Sequence, residues 1–204
     1  MRCTTYLLLT ALLTLAAPSD SWAQSVFTGL NYQVSFPFSD TKDFTKDVSF
    51  RGVGVDFRKM VKPNLSFGLS ANWNVFHSTS DEMISLRNLG QRQAAADISG
   101  RQNRITNSFP ILLNLHYYLI GSNDSRVPFV GFGAGASYIE SRLEIGTFAV
   151  TEDNWHFTLA PEVGIGIQAS YDIYVVLSAK YNYAFKADGV QHSYLGVSIG
   201  LFYF

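Results

Sequence analysis

Four histidines, His77, His116, His156 and His192, are the side chains of this chain best suited to proton or metal chemistry near neutral pH. Two of them precede a serine, in His77-Ser78-Thr79 and His192-Ser193-Tyr194, and these are the candidates for catalytic chemistry. A working nucleophile also needs a third group to orient the base, and nothing in the spacing supplies one. No catalytic residue and no enzymatic activity are therefore expected. His77, His156 and His192 could meet at one rim and bind a metal, but they are isolated, without i, i+2 pairing, so neither a metal nor any other cofactor is expected. Cys3 is the only cysteine, which leaves no disulfide and no thiolate site. The glycines Gly52, Gly54, Gly131, Gly133, Gly135, Gly164 and Gly166 fall in GxG pairs with no helix after them, so they are not phosphate loops. They are expected to make room for neighbouring side chains.

The elements that must position these residues have a period of two, the signal of strands. In Leu65 to Phe76, Leu65, Phe67, Leu69, Ala71, Trp73 and Val75 share one face, and Ser66, Gly68, Ser70, Asn72 and Asn74 the other. Trp155 to Ser170 and Ile173 to Phe185 repeat the pattern, and Val26 to Phe36 sets Leu30, Tyr32 and Val34 against Asn31, Gln33 and Ser35. Val48 to Arg58, Arg104 to Ile120, Phe129 to Glu140 and Ser193 to Phe204 bring the number of strands to eight. The last strand is too apolar to leave an edge open, which suits the closing strand of a barrel. It has two readings: Tyr203 outward with Leu201 and Ile199, or Phe202 and Phe204 outward after a bulge near Gly200.

The N-terminus reads as an export signal. Met1-Arg2 is a short basic start, Tyr6 to Ala17 an apolar stretch, and Ser21-Trp22-Ala23 a small-x-small cleavage site. Residues 1–23 are thus expected to be a Sec-type signal peptide and residues 24–204 a single domain with no second module after the last strand. The apolar stretch is shorter than the roughly 20 residues of a spanning helix, and no later run approaches that length, so any membrane crossing is by strands. A formal net charge of -1 provides no basic field for nucleic acid.

Connection lengths orient the barrel. Short turns around Met60 to Asn64, Gly121 to Pro128 and Ser170 to Asp172 are expected at the periplasmic end; longer outer connections run over Pro37 to Asp47, Ser78 to Asn103 and Ser141 to Asn154, and a brief one over Lys186 to Gln191. A soluble barrel of lipocalin type would invert the alternation, with polar residues outside. Strands of ten or more residues with Tyr117, Tyr138, Trp155, Tyr181 and Tyr183 near their ends favour the membrane. On that reading Asp56, Asn114, His116, Glu162, Gln168 and Lys180 face a lumen with room only for side chains, and form a hydrogen-bonded network there. A three-residue loop of Ser170, Tyr171 and Asp172 would set Glu162 opposite Lys180. The long connection Ser78 to Asn103 mixes Arg87, Arg92 and Arg101 with Asp81, Glu82 and Asp97; it is read as a solvated loop, a short amphipathic helix or a hairpin, with arginines able to meet lipopolysaccharide phosphates.

The segments SFPILLNLHYYL (Ser108 to Leu119) and PFVGFGAGASYIE (Pro128 to Glu140), together with the aromatic end of the last strand, resemble the small bacterial outer-membrane barrel proteins of OmpX, OmpW and OmpA-barrel type. The resemblance spans the chain after residue 23. It implies an all-β, eight-stranded antiparallel up-and-down transmembrane β-barrel. It further implies that Phe202, Tyr203 and Phe204 are read by the barrel-assembly machinery, and that the partners are outer-membrane lipids. Functions of such proteins run from structural and surface-interaction roles to passage of small or hydrophobic molecules. Lipid A modification is a known alternative for eight-stranded barrels of this size class, but the His-x-Ser-Asn strand motif of such an enzyme matches neither histidine-serine pair here. The expected function is a structural or surface-interaction role, with small-molecule transport of OmpW type as the alternative.

Overall fold

A strand whose outward face is apolar and whose inward face is polar satisfies both only if the sheet curls and closes. The structure, a computed structural model, describes residues 26–80, 83–85, 97–99, 102–119, 125–145, 148–187 and 189–203. The expected signal peptide and its cleavage site, Phe204, and much of the connection after Ser80 lie outside the described residues. The elements are β1 (Val26–Phe38), α1 (Ser39–Phe44), β2 (Ser49–Lys62), β3 (Leu65–Ser80), β4 (Met83–Ser85), β5 (Asp97–Ser99), β6 (Gln102–Tyr118), β7 (Arg126–Ile145), β8 (Phe148–Gln168), β9 (Ile173–Ala187) and β10 (Val190–Tyr203). Eight of these strands form a closed barrel in the order β1-β10-β9-β8-β7-β6-β3-β2, and β4 pairs with β5 as a separate hairpin. Every neighbouring pair is antiparallel, and β1 closes the barrel by pairing with both β2 and β10. The fold is thus the eight-stranded up-and-down barrel read from the sequence. No helix among the described residues is long and apolar enough to cross a membrane, which says nothing about crossing by strands.

The two faces separate cleanly. Leu30, Val53, Leu69, Leu113, Phe132, Val163, Leu177 and Ile199 are exposed on the outside, while Gln33, Asp56, Ser70, Asn114, Glu162 and Lys180 are buried inside. An outer belt this apolar belongs against hydrocarbon. Of the two readings of the last strand, the first holds: Tyr203 is outward at 63% exposure and Phe202 inward at 3%. No bulge intervenes, since Gly200, Leu201 and Phe202 pair in unbroken register with Val176, Val175 and Tyr174. Gly29 sits where an added Cβ would meet the Phe202 ring at 2.7 Å, so the ring lies over residue 29 because that residue has no side chain.

Strand ends depart from the sequence reading on one side. At the end holding Val26 and Tyr203, called here the turn end, the connections are short, as at Pro63-Asn64 and Ala169–Asp172. At the opposite end Ser141 to Asn154, expected as a loop, is mostly strand: β7 and β8 stay paired from Ser141↔Glu152 to Ile145↔Phe148. Pro37 to Asp47, also expected as a loop, contains α1, which lies against β10 through Gln191 N–H donating to Asp40 Oδ2 at 2.9 Å and Ser193 N–H to Thr41 Oγ1 at 3.2 Å.

Candidate functional site

The inward face builds the lumen in layers. Nearest the turn end, Phe129, Val176 and Phe202 form a buried apolar cluster, with Phe27, Tyr118 and Tyr174 packed on it. Above it lies a charged layer. The Arg58 guanidinium sits between the rings of Phe129 and Phe202, 5.0 and 4.7 Å from their centroids. Its Nη2 is 3.8 Å from Asp56 and 3.6 Å from Glu162. Glu162 and Lys180 are cross-strand partners, and Lys180 Nζ meets Glu162 Oε2 at 3.1 Å. His116 Nε2 reaches the same oxygen at 3.4 Å, and Asn31 donates to Asp56 at 2.7 Å. Two cations face two carboxylates in a buried layer, an arrangement that tolerates burial because the charges balance.

Further from the turn end, Asn114 donates to Ser70 at 2.8 Å. Gln33, Ser35 and Asn74 then join in a hydrogen-bonded set at 2.9–3.1 Å, and Asn74 Nδ2 donates to the Tyr194 hydroxyl at 3.2 Å. Tyr194 also packs edge-on against Phe76, both fully inside. These layers fill the barrel's middle with side chains.

Of the six residues assigned to the lumen network from sequence, the structure brings Asp56, His116, Glu162 and Lys180 together and places Asn114 a layer further along. Gln168 shares their parity but sits at the exposed end of β8, outside the lumen. The rim grouping of His77, His156 and His192 does not form. His156 and His192 are buried, with ring centroids 5.3 Å apart, but His77 points to the outside. Thr41 holds His192 Nδ1 at 3.0 Å and the Phe185 carbonyl holds His156 Nδ1 at 2.9 Å. Among the described residues no group of three or more His, Cys, Asp or Glu is arranged for a metal. Sequence reading missed Arg58, although its place two residues after Asp56 on one strand assigns both to one face. Of the glycines, Gly131 and Gly164 do leave room for the His116 and Phe129 rings, while a Cβ on Gly166 would meet nothing nearer than 3.7 Å.

At the other end the outer surface changes character across one row of aromatics. Trp73 stacks on Phe109 at 5.6 Å, Phe109 meets Tyr138 at 6.3 Å, and Tyr138 meets Trp155 at 5.4 Å. Tyr138 donates to Asp153 at 3.1 Å. Beyond that row the outward residues of β7 and β8 include Glu140, Arg142, Glu144, Thr151 and Asp153, with Arg142 and Glu144 paired at 2.8 Å. An apolar belt ending at aromatic rings and giving way to charge is the profile of a strand leaving a bilayer.

A closed antiparallel barrel with a lipid-type exterior and a side-chain-filled interior defines a membrane β-barrel. The comparisons agree: the model of the outer membrane protein beta-barrel domain matches residues 5–201, and the chain belongs to that family. No curated protein sequence matches it. Among solved structures, the Neisserial surface protein A is similar with a TM-score of 0.55 at 11% identity, covering 89% of this chain and 99% of that one. A major outer membrane protein from Thermus thermophilus is similar with a TM-score of 0.52 at 14% identity, covering 88% and 99%. At these identities the likeness is one of fold.

Proposed function

We propose that this protein is exported to the bacterial outer membrane, where it serves as a surface-interaction protein on a closed, non-conducting barrel. One observation carries this reading: a wall of strands that stands beyond the aromatic row and keeps a free edge. β8 pairs with β9 between Thr158↔Ala184 and Gln168↔Tyr174, and β9 ends at Ala187. Phe148 to Asn154 therefore has β7 on one side and no strand on the other among the described residues. At about 3.3 Å per residue the seven residues beyond Trp155 extend roughly 20 Å along the strand. An unpaired edge presents backbone donors and acceptors in a row, and an extended segment of another protein can add to it as a further strand. The layered lumen supports the same reading, because transport of OmpW type needs an opening through or beside it. No catalytic role is proposed.

Export would rest on residues 1–23, with Gln24 as the first residue of the mature chain. Assembly would rest on Phe202, Tyr203 and Phe204, as resemblance to the small barrels implies. The partner at the wall is an extended polypeptide, with lipid and lipopolysaccharide around the belt.

The test shortens the wall. Glu140 and Asp153 are cross-strand partners, so an Asn-Gly turn joining them removes the hairpin beyond and suits a two-residue loop. Cells displaying either form are panned against a library of extended peptides, and both proteins are examined in planar bilayers. Peptides enriched on the full barrel should not bind the shortened one, and neither protein should form channels. Equal peptide binding by the shortened barrel, or sustained conductance of the full one, would refute the proposal.

A further inference from the structure

At the turn end of the lumen an open recess is walled by Phe27, Tyr118, Phe129, Tyr174 and Phe202, with Arg58 at its inner limit. We propose that this vestibule is a binding site for an apolar molecule carrying a neutral carbonyl, which accepts hydrogen bonds from Arg58. The inference stands apart from the outer wall, since the two sites lie at opposite ends of the barrel.

Arg58 is the unusual member. It is 4% exposed. Yet its carboxylate contacts, at 3.6 and 3.8 Å, are too long to be hydrogen bonds, and its Nε has no partner. The Tyr118 hydroxyl hydrogen-bonds to the guanidinium, but leaving the buried Nε–H unused is costly. The π faces of Phe129 and Phe202 hold the group in place by attraction to its charge. They also leave its edge, where the N–H bonds point, as the part able to receive a ligand atom.

Charge selects the ligand class. Arg58 and Lys180 already balance Asp56 and Glu162. An anionic head group would add an uncompensated negative charge beside two buried carboxylates, whereas a ketone, quinone or ester carbonyl accepts from the guanidinium without disturbing that balance. The aromatic and aliphatic walls, Val127 and Val176 included, favour an apolar remainder. Gly166 opens one side of the recess: a Cβ there would have only the Val127 carbonyl at 3.7 Å and a Tyr174 ring carbon at 3.9 Å as neighbours. Its absent side chain therefore accommodates no packed neighbour and leaves space on that side of the recess.

The full-length mature protein in lipid nanodiscs is titrated calorimetrically with menadione, a neutral two-ring quinone, after subtraction of protein-free nanodiscs. Comparison probes are 2-methylnaphthalene, which lacks the carbonyls, and the anion 2-naphthoate. Saturable binding of one menadione per barrel is expected, at least tenfold tighter than either comparison probe. Arg58→Met should reduce menadione to the level of the hydrocarbon. Because Arg58→Met leaves two carboxylates short of a cation and can impair folding, Gly166→Leu provides a second variant, with the charged layer intact and the recess filled. It should weaken menadione at least tenfold while the barrel stays heat-modifiable. Hydrocarbon and quinone binding equally well, absence of saturable binding, or a folded Gly166→Leu protein that binds as the parent does would overturn the proposal and leave the vestibule as a packed seal.

Discussion

Replacing Lys180 with Met should destabilise the folded barrel by about 3 kcal/mol, and restoring charge balance with Glu162→Leu in the same protein should recover most of that loss. The magnitude follows from the charged layer. Lys180 and Glu162 are almost wholly buried and 3.1 Å apart. Removing one partner of such a pair commonly costs about 3–5 kcal/mol, because the other is left as an uncompensated buried charge. Here Glu162 keeps Arg58 at 3.6 Å and His116 at 3.4 Å, so the low end of that range applies. In the double variant Arg58 still faces Asp56, the layer is neutral again, and exchange of a buried pair for apolar side chains is commonly close to neutral, within about 1 kcal/mol. Urea unfolding in lipid vesicles reads the difference, with Trp73 and Trp155 on the belt as fluorescent reporters. Equal stability of the single and double variants would refute the reasoning, since it would mean that the pair is hydrated or contributes nothing.

Three further outcomes follow from the same geometry. Leu69→Arg places a cation on the outward face of β3, where Leu69 is 43% exposed, and should cost roughly 2–4 kcal/mol near the bilayer midplane; urea titrations of arginine at Leu65, Leu69 and Trp73 should show a depth dependence, and a flat series would point to a soluble barrel. Deleting residues 202–204 removes the Phe202 ring from beside Arg58 and the expected assembly signal, so the amount of heat-modifiable protein in outer-membrane fractions should fall; unchanged amounts would count against both roles. Intact mass of the membrane-extracted protein should correspond to a chain starting at Gln24, and a product retaining residues 1–23 would remove the export reading.

Parity is the part of the structure legible in the sequence. Alternation assigns Asp56, His116, Glu162 and Lys180 to one face, and the odd loop length around Tyr171 sets two of them opposite each other. Height along the strand is a different matter, because a period of two carries no axial coordinate. Gln168 has the inward parity yet falls past the end of the lumen. The outer parts of β7 and β8 read as loop for a related reason: beyond Tyr138 and Trp155 both faces are exposed to water, so Arg142, Glu144, Thr151 and Asp153 lose the contrast that marks a strand in lipid. The last strand offers apolar or aromatic residues on both faces, and the inward direction of Phe202 is explained by a tertiary contact, its ring against Arg58. Arg58 itself is adjacent in sequence to Lys59, which gives it the look of a basic strand end, though its parity with Asp56 points inward.

Cysteine accessibility in intact cells tests the central claim, an outer-membrane barrel with its wall outside and its short turns in the periplasm. Cys3 is the only natural cysteine and lies in the segment expected to be removed, so single cysteines can be placed at Thr151 on the wall, Leu69 on the belt and Tyr171 in the β8–β9 turn. A membrane-impermeant maleimide should label Thr151→Cys in intact cells, Tyr171→Cys only after the outer membrane is permeabilised, and Leu69→Cys in neither case. Labelling of Tyr171→Cys but not Thr151→Cys in intact cells, or ready labelling of Leu69→Cys, would contradict it.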